Sequence, residues 1–230
     1  AVIKSYHMTH FLPLVLEQLR WVDKIVVMNY RFKTACHASD DTKEICDEFG
    51  HSNLIVDSGS GLTQGEIHNK GMDSVRDCDL SWILDADEIL LKKDQGVILE
   101  MMADRTPKLG RPDFARCSFI DYKNDLYHAS PKRPGGVTII VDPKAVKFGR
   151  IREIENTICC ADFPCVNVHH MMTVFPPHVL SWKADWEYRE EGIPKEKLLD
   201  NWKLSRDVAP PNELLELFKE NKWQEHFQQS

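Results

Sequence analysis

Leu80-Ser81-Trp82-Ile83-Leu84-Asp85-Ala86-Asp87-Glu88 is the stretch on which the reading of this chain turns. An apolar run of strand length passes without a turn signal into two carboxylates at i and i+2, which share one side of an extended backbone. If the run is a parallel strand, those carboxylates stand at its carboxyl end, where open α/β sheets take their ligands. Two hard oxygen donors on one side of a crevice suit Mg²⁺ or Mn²⁺. A second reading stays open: Asp87 caps a helix that starts at Glu88.

The sequence before this stretch supplies the parallel sheet. Val2 to Tyr6 reads as a strand, and His10 to Arg20 as a helix with Leu12, Val15, Leu16 and Leu19 on one face. Lys24 to Met28 is a β-branched strand. Thr42 to Phe49 is a helix opened by Asp40-Asp41 and ended by Gly50, and Asn53 to Asp57 is a third strand. Gly65 to Val75 reads as helix, and Leu80 to Leu84 as the fourth strand. Strands alternating with helices predict a parallel sheet with right-handed crossovers.

After residue 90 the rhythm changes. Gln95 to Asp104 is a helix, Asp113 to Asp121 alternates like a half-exposed strand, and Val137 to Val141 and Val166 to His169 are further strands. Pro131, Pro134, Gly135 and Gly136 predict a long loop over 122–136. From Ser181 onward the sequence reads as helices, Trp182 to Glu191, Lys195 to Ser205 and Asn212 to Phe227, around a Pro210-Pro211 break. The expectation is an α/β fold: one domain over 1–175, whose rhythm changes between a first half (1–90) and a second (91–175). A helical extension over 176–230 would pack on it through Trp182, Trp186, Trp202 and Trp223.

Composition narrows the function classes. The 230 residues carry 29 Lys+Arg against 36 Asp+Glu, a net charge of −7. Phosphate-backbone binding needs a basic face, so the balance argues against nucleic acid. No apolar run approaches the roughly 20 residues that cross a bilayer. The first residues, AVIKSYHMTHFLPL, lack the charged-then-apolar layout of a signal peptide. Seven cysteines with no scaffold-like spacing point to reduced thiols and a cytoplasmic chain.

With these elements in order, the chain resembles GT-A-fold glycosyltransferases, and family 2 of them in particular. WILDADE resembles that family's DxD motif, FLPLVLEQLRWVDKIVVMN its first helix and second strand, Asp40-Asp41-Thr42-Lys43-Glu44-Ile45 its S-x-D-x-T-x-E-I element, and His68-Asn69-Lys70-Gly71 its R-N-x-G segment. The chain departs from the family after Asn29, where YRFKTACHAS replaces an Asp-rich turn. The resemblance implies transfer of a sugar from a nucleotide diphosphate, a UDP-sugar, to a glycan or other hydroxyl acceptor, with inversion. It implies Mn²⁺ or Mg²⁺ held by Asp87, with Asp85 contributing through water or at the ribose. Lys70 would reach the diphosphate, and Ser5, Tyr6 and Asp57 would hold the nucleoside. The resemblance makes 1–175 a catalytic domain, with 1–90 the nucleotide-binding half and 91–175 the acceptor half, of a kind that also occurs inside longer multi-domain chains.

An inverting transfer needs a base for the acceptor hydroxyl. Gly149-Arg150-Ile151-Arg152-Glu153-Ile154-Glu155 resembles the family segment carrying that acid, so Glu153 is the first candidate, with Glu155 and Asp121 in reserve; surface acids beside arginines are the plainer reading. VNVHHMM resembles the place where a family histidine completes the metal shell, and His169 is preferred over His170. A structural zinc on Cys159, Cys160, Cys165 and the two histidines is disfavoured, because adjacent cysteines in a strand face opposite ways. Trp182 and Trp186 at i and i+4 read as core packing or as a platform for a sugar ring. Two other classes compete. A nucleotidyltransferase would carry a glycine-rich basic loop where this chain has SYHMTH, and a carbohydrate-binding module would need no nucleotide pocket.

Overall fold

Both faces of the first strand, β1 (Val2–Ser5), are buried, as a strand central to a parallel sheet requires. It lies between β2 (Ile25–Phe32) and β4 (Ser81–Asp85), parallel to both, and β2 is parallel in turn to β3 (Leu54–Leu62). The computed structural model describes residues 1–33, 35, 37, 38, 40–103, 112–123, 125–130, 137–149, 152–155, 160–171, 174, 175, 177–191, 194 and 206–220.

Beyond β4 the sheet becomes mixed. β8 (Val137–Val141) is antiparallel to β4 and to β6 (Phe114–Lys123), and β6 is antiparallel to β7 (Asp125–Ala129). β9 (Cys160–His170) runs parallel to β6 and antiparallel to the short β5 (Glu88–Ile89), and β10 (Arg206–Asp207) closes on β7. The result is a mixed α/β fold with helices on the sheet. Strand alternation assigns their faces. Lys4 bonds to Gln64 of α3 (Gln64–Asp73), while Ser5, one residue on, bonds to Thr42 of α2 (Thr42–Phe49). A 3₁₀ turn, Thr9–Phe11, leads into α1 (Leu12–Gln18). The remaining helices among the described residues are α4 (Lys92–Ala103), α5 (Pro177–Glu191) and α6 (Asn212–Glu220).

Several elements differ from the sequence reading. The strand expected to stop at Met28 continues to Phe32, and the one expected to stop at Asp57 continues to Leu62. Asn29 still pairs with Ser5, and the rest of the β2 extension pairs with that of β3; Asn29 and Arg31 in one and Ser58-Gly59-Ser60-Gly61 in the other break the apolar run that would mark them. The loop expected over 122–136 contains β7; its turn is made by the Asp125 carboxylate, which accepts from the amides of Tyr127 and His128. β9 starts at Cys160 rather than Val166, and its register on β6 jumps between Phe163 and Asn167, around Pro164, which has no amide to donate. Glu88 opens a strand, not a helix. The tail is not purely helical, since it supplies β10. The expected helix Lys195 to Ser205, Trp202 and Trp223 lie outside the described residues.

α3 is set by its ends and by one glycine. Thr63 and Glu66 form a capping box, Oγ1 of Thr63 accepting from the Glu66 amide and Glu66 Oε2 from the Thr63 amide. At Gly71 the helix lies so close to the sheet that a Cβ would sit 2.5 Å from Cγ1 of Val2 and 3.1 Å from Cγ of Met28, both fully buried. Gly71→Ala gains about 1 kcal/mol of helix propensity, but overpacking a filled core costs about 1–3 kcal/mol. We expect net destabilisation, seen as a lower urea midpoint with an unchanged slope.

Candidate functional site

A lysine in a buried strand needs a carboxylate, and the β1–β4 register supplies one. Lys4 faces Asp85 across the pair, and its ammonium lies 2.9 Å from Asp85 Oδ2 and 2.7 Å from Gln64 Oε1. Burial alone would push the Asp85 carboxyl up, but Lys4, then Arg152 and His68, hold it below its ordinary value. Glu88 is matched from elsewhere. Arg152 places Nη1 2.7 and 2.8 Å from its two oxygens and donates through Nη2 to the Ile83 carbonyl. Glu88 Oε2 also accepts from the Asp85 amide at 2.9 Å. Burial raises the Glu88 carboxyl against the pull of Arg152.

Asp87 is 1% exposed and draws on the other end of the chain. Its Oδ2 is 3.0 Å from the Lys183 ammonium on α5 and 3.3 Å from His170 Nε2 on β9, while its backbone carbonyl accepts from the Met171 amide. Burial opposes ionisation, yet Lys183 and His170 hold the carboxyl far below the usual range. His170 sits opposite Asp121 on β6 and opposite Glu88 on β5, and its Nδ1 lies 2.8 Å from Asp121 Oδ1. Burial disfavours the charged ring, but Asp87, with the hydrogen bonds to Asp121 and Asp87, pushes the imidazole up to about 10.

The other predicted residues divide. His169 points away from Asp87: its Nδ1 meets the Tyr122 hydroxyl at 3.0 Å, and burial, with Lys93, lowers it to about 4. Ser5 is fully buried and bonds to the Thr42 hydroxyl. The Tyr6 hydroxyl meets the backbone of Ala38, and its ring lies 5.9 Å from Trp182. His7, held at φ +54°, sets its ring 5.1 Å from the same tryptophan. Trp186 stacks on Phe32 at 4.7 Å. Asp57 sits mid-strand and pairs with Tyr30 and Lys70, sharing no hydrogen bond with the Asp85–Asp87 cluster. Glu155 pairs with Lys147. The Glu153 side chain is exposed, with its backbone fixed by a bond from the Gly149 amide to its carbonyl. Cys159 lies outside the described residues, and Cys160 is exposed at the start of β9.

The reading from sequence missed Lys4, His68, Arg152 and Lys183. A lysine inside the run Val2-Ile3-Lys4-Ser5-Tyr6 is the one readable signal, since a lysine is fully buried only when paired. His68 is fully buried against Phe148, and neither ring nitrogen has a hydrogen-bond partner among the described residues.

The cluster's fit to a divalent cation turns on its bare oxygens. Oδ1 of Asp85 and Oδ1 of Asp87 are both buried with no hydrogen-bond partner among the described residues. Among the described residues, no three His, Cys, Asp or Glu side chains come close enough to cage an ion unaided. One or two carboxylates with substrate phosphates completing the shell is the usual arrangement for Mg²⁺. The residues fit a cation that arrives with a phosphate ligand.

No protein-family profile matches the sequence, and no curated protein matches it significantly. Solved structures do. A structure of Staphylococcus aureus TarS 1–349 matches at TM-score 0.50 and 11% identity, covering 85% of this chain and 72% of that one. A longer TarS structure matches at 0.48 and 13%, and this chain spans 42% of its length. The mannosyltransferase PcManGT of Pyrobaculum calidifontis, solved in complex with GDP-Man and Mn²⁺, matches at 0.49 and 11%, covering 95% of this chain and 67% of that one. At such identity the first match shows the α/β fold alone, and the two below one half add nothing to it. No helix among the described residues is long and apolar enough to cross a membrane.

Arg152→Met leaves Glu88 buried and unpaired, so it should destabilise the fold by about 3–5 kcal/mol. Adding Glu88→Gln should recover part of that loss. Urea denaturation of the single and double variants checks both.

Proposed function

We propose that the chain is a metal-dependent glycosyltransferase of the GT-A type, moving a sugar from a UDP-sugar to a glycan or other hydroxyl acceptor with inversion. The observation that carries this reading is the pair of buried, unpartnered carboxylate oxygens of Asp85 and Asp87 at the carboxyl end of a central parallel strand. The DxD resemblance and the shared fold with TarS support it.

Asp87, with Asp85 acting through water and the donor's phosphates completing the shell, would hold Mn²⁺ or Mg²⁺, whose chemistry is Lewis-acid neutralisation of charge on the departing diphosphate, while His170 orients Asp87. The aromatic group of Tyr6, His7 and Trp182 offers rings on which the nucleoside base stacks. Ser5 anchors that end of β1 through Thr42, and Lys70 and Asp57 present a polar edge for the nucleotide. Glu153 takes the acceptor hydroxyl's proton as the new glycosidic bond forms and the sugar–phosphate bond breaks, releasing UDP. Its neighbour Arg152, locked on Glu88, fixes the segment that presents it.

Asp87→Asn, which keeps a polar partner for Lys183 and His170, should abolish transfer and Mn²⁺-dependent UDP binding, with a lowered urea midpoint but a native circular dichroism spectrum in the absence of denaturant. Wild-type turnover in that variant would sink the reading. Glu153→Gln should lower kcat by about 10²–10⁴ with donor binding nearly unchanged, because the amide keeps the shape and cannot accept the proton. Should Glu155→Gln or Asp121→Asn fail instead, the base belongs at that position.

A further inference from the structure

Phe148 belongs to a narrow two-stranded ribbon. It is bridged antiparallel to Ile154, the Gly149 amide donates to the Glu153 carbonyl at 2.8 Å, and the Glu155 amide donates to the Lys147 carbonyl at 2.9 Å. Those bonds flank the pair, so Phe148 spends neither its own N–H nor its own carbonyl on Ile154, and both point to the outer edge of the ribbon. Asn69 takes both. Its Nδ2 donates to the Phe148 carbonyl and its Oδ1 accepts from the Phe148 amide, each at 2.8 Å. A side-chain amide presents a donor and an acceptor as a peptide group does, so one residue of α3 stands in for a third strand. The buried Phe148 ring lies 5.1 Å from that of His68, the preceding residue of the helix.

We propose that Asn69 is a positioning residue for the transfer: it sets the place of the ribbon of 147–149 and 153–155, and through it the reach of Glu153 to the acceptor hydroxyl. This rests on the reading of Glu153 as the base. The Glu153 side chain is exposed, so its place is inherited from its backbone rather than from packing. Arg152 fixes the ribbon at one point, on Glu88 and the Ile83 carbonyl. A ribbon held at one point can turn about it, and Asn69 supplies the second. The helix on which Asn69 stands is a firm reference. Gly71 lies hard against Val2 and Met28, Gln64 holds the Lys4 that pairs with Asp85, and Lys70 pairs with Asp57. The donor-side carboxylate and the acceptor-side base are thereby both measured from α3. Misplacing a reacting group by about 1 Å can cost about 10²-fold in rate, and the clamp guards against that displacement.

The test is UDP release from UDP-glucose, UDP-galactose and UDP-N-acetylglucosamine, with Mn²⁺ and a mixture of oligosaccharides as acceptor, beside UDP binding by calorimetry. It compares the wild type, Asn69→Ala, Glu153→Gln and the double variant. Asn69→Ala should lower kcat by about tenfold or more, while the Kd for UDP with Mn²⁺ changes by less than about twofold. In the Glu153→Gln background Asn69→Ala should cost nothing further, because it acts through a group already removed. A residue that only stabilises the fold would lower turnover in both backgrounds alike. Asn69→Asp, which keeps the acceptor for the Phe148 amide and loses the donor, should move kcat in the same direction, and the same cycle on it decides the matter should the alanine variant not fold. If the Asn69 variants keep the wild-type kcat, or their losses multiply with that of Glu153→Gln, the Asn69 proposal fails and the donor-site reading stands. If Glu153→Gln turns over normally, the base assignment falls and this proposal with it. A wild type that neither binds UDP with Mn²⁺ nor releases it sinks the donor-site reading as well.

Discussion

A carboxylate shut away from water at the end of a strand must be given a positive partner, and this constraint organises the middle of the molecule. The β1–β4 register satisfies Asp85 with Lys4. Glu88 is satisfied by a loop residue, Arg152, and Asp87 by a lysine on a helix near the end of the described chain. Replacing these groups with hydrocarbon of similar volume would cost the fold little. Their presence in a packed interior is therefore weak evidence for a stabilising role.

A second constraint is register. β9 lies between β6 and β5, and one level of that ladder lines up Asp121, His170 and Glu88. A slip of one residue would bring His169 to that level and exchange the faces of the two histidines. The jump around Pro164 absorbs the irregular part of the strand before the histidines are reached, so their pairing is unaffected. The short β5 ties the acid-bearing turn to the second half of the chain.

Much of this was legible in the sequence. The four parallel strands, α2 with its Gly50 cap in the left-handed region, and the placement of Asp85 and Asp87 at a strand end follow from apolar runs and turn residues. The extensions of β2 and β3 did not, because Asn29, Arg31 and the Ser-Gly repeat over 58–61 interrupt the apolar runs there. The choice between His169 and His170 could not be made from alternation either, since it depends on which neighbour of β9 bears the carboxylates. Lys183 lay in a helix whose tryptophans suggested packing, and nothing local shows that a lysine at that position reaches a residue 96 positions away.

Those separations bear on how the molecule is made. Glu88 waits for a partner 64 residues downstream, Asp121 for one 49 downstream, and Asp87 for one 96 downstream. Contacts of such span form late, after the chain has met its loop-closure entropy. During synthesis Asp85 meets a Lys4 that is already made, but Glu88 emerges before Arg152 and Asp87 before Lys183, so the Asp87 carboxylate must stay hydrated until α5 has left the ribosome. The first half of the sheet can form early around its apolar strands, but the end that bears Asp87 closes last.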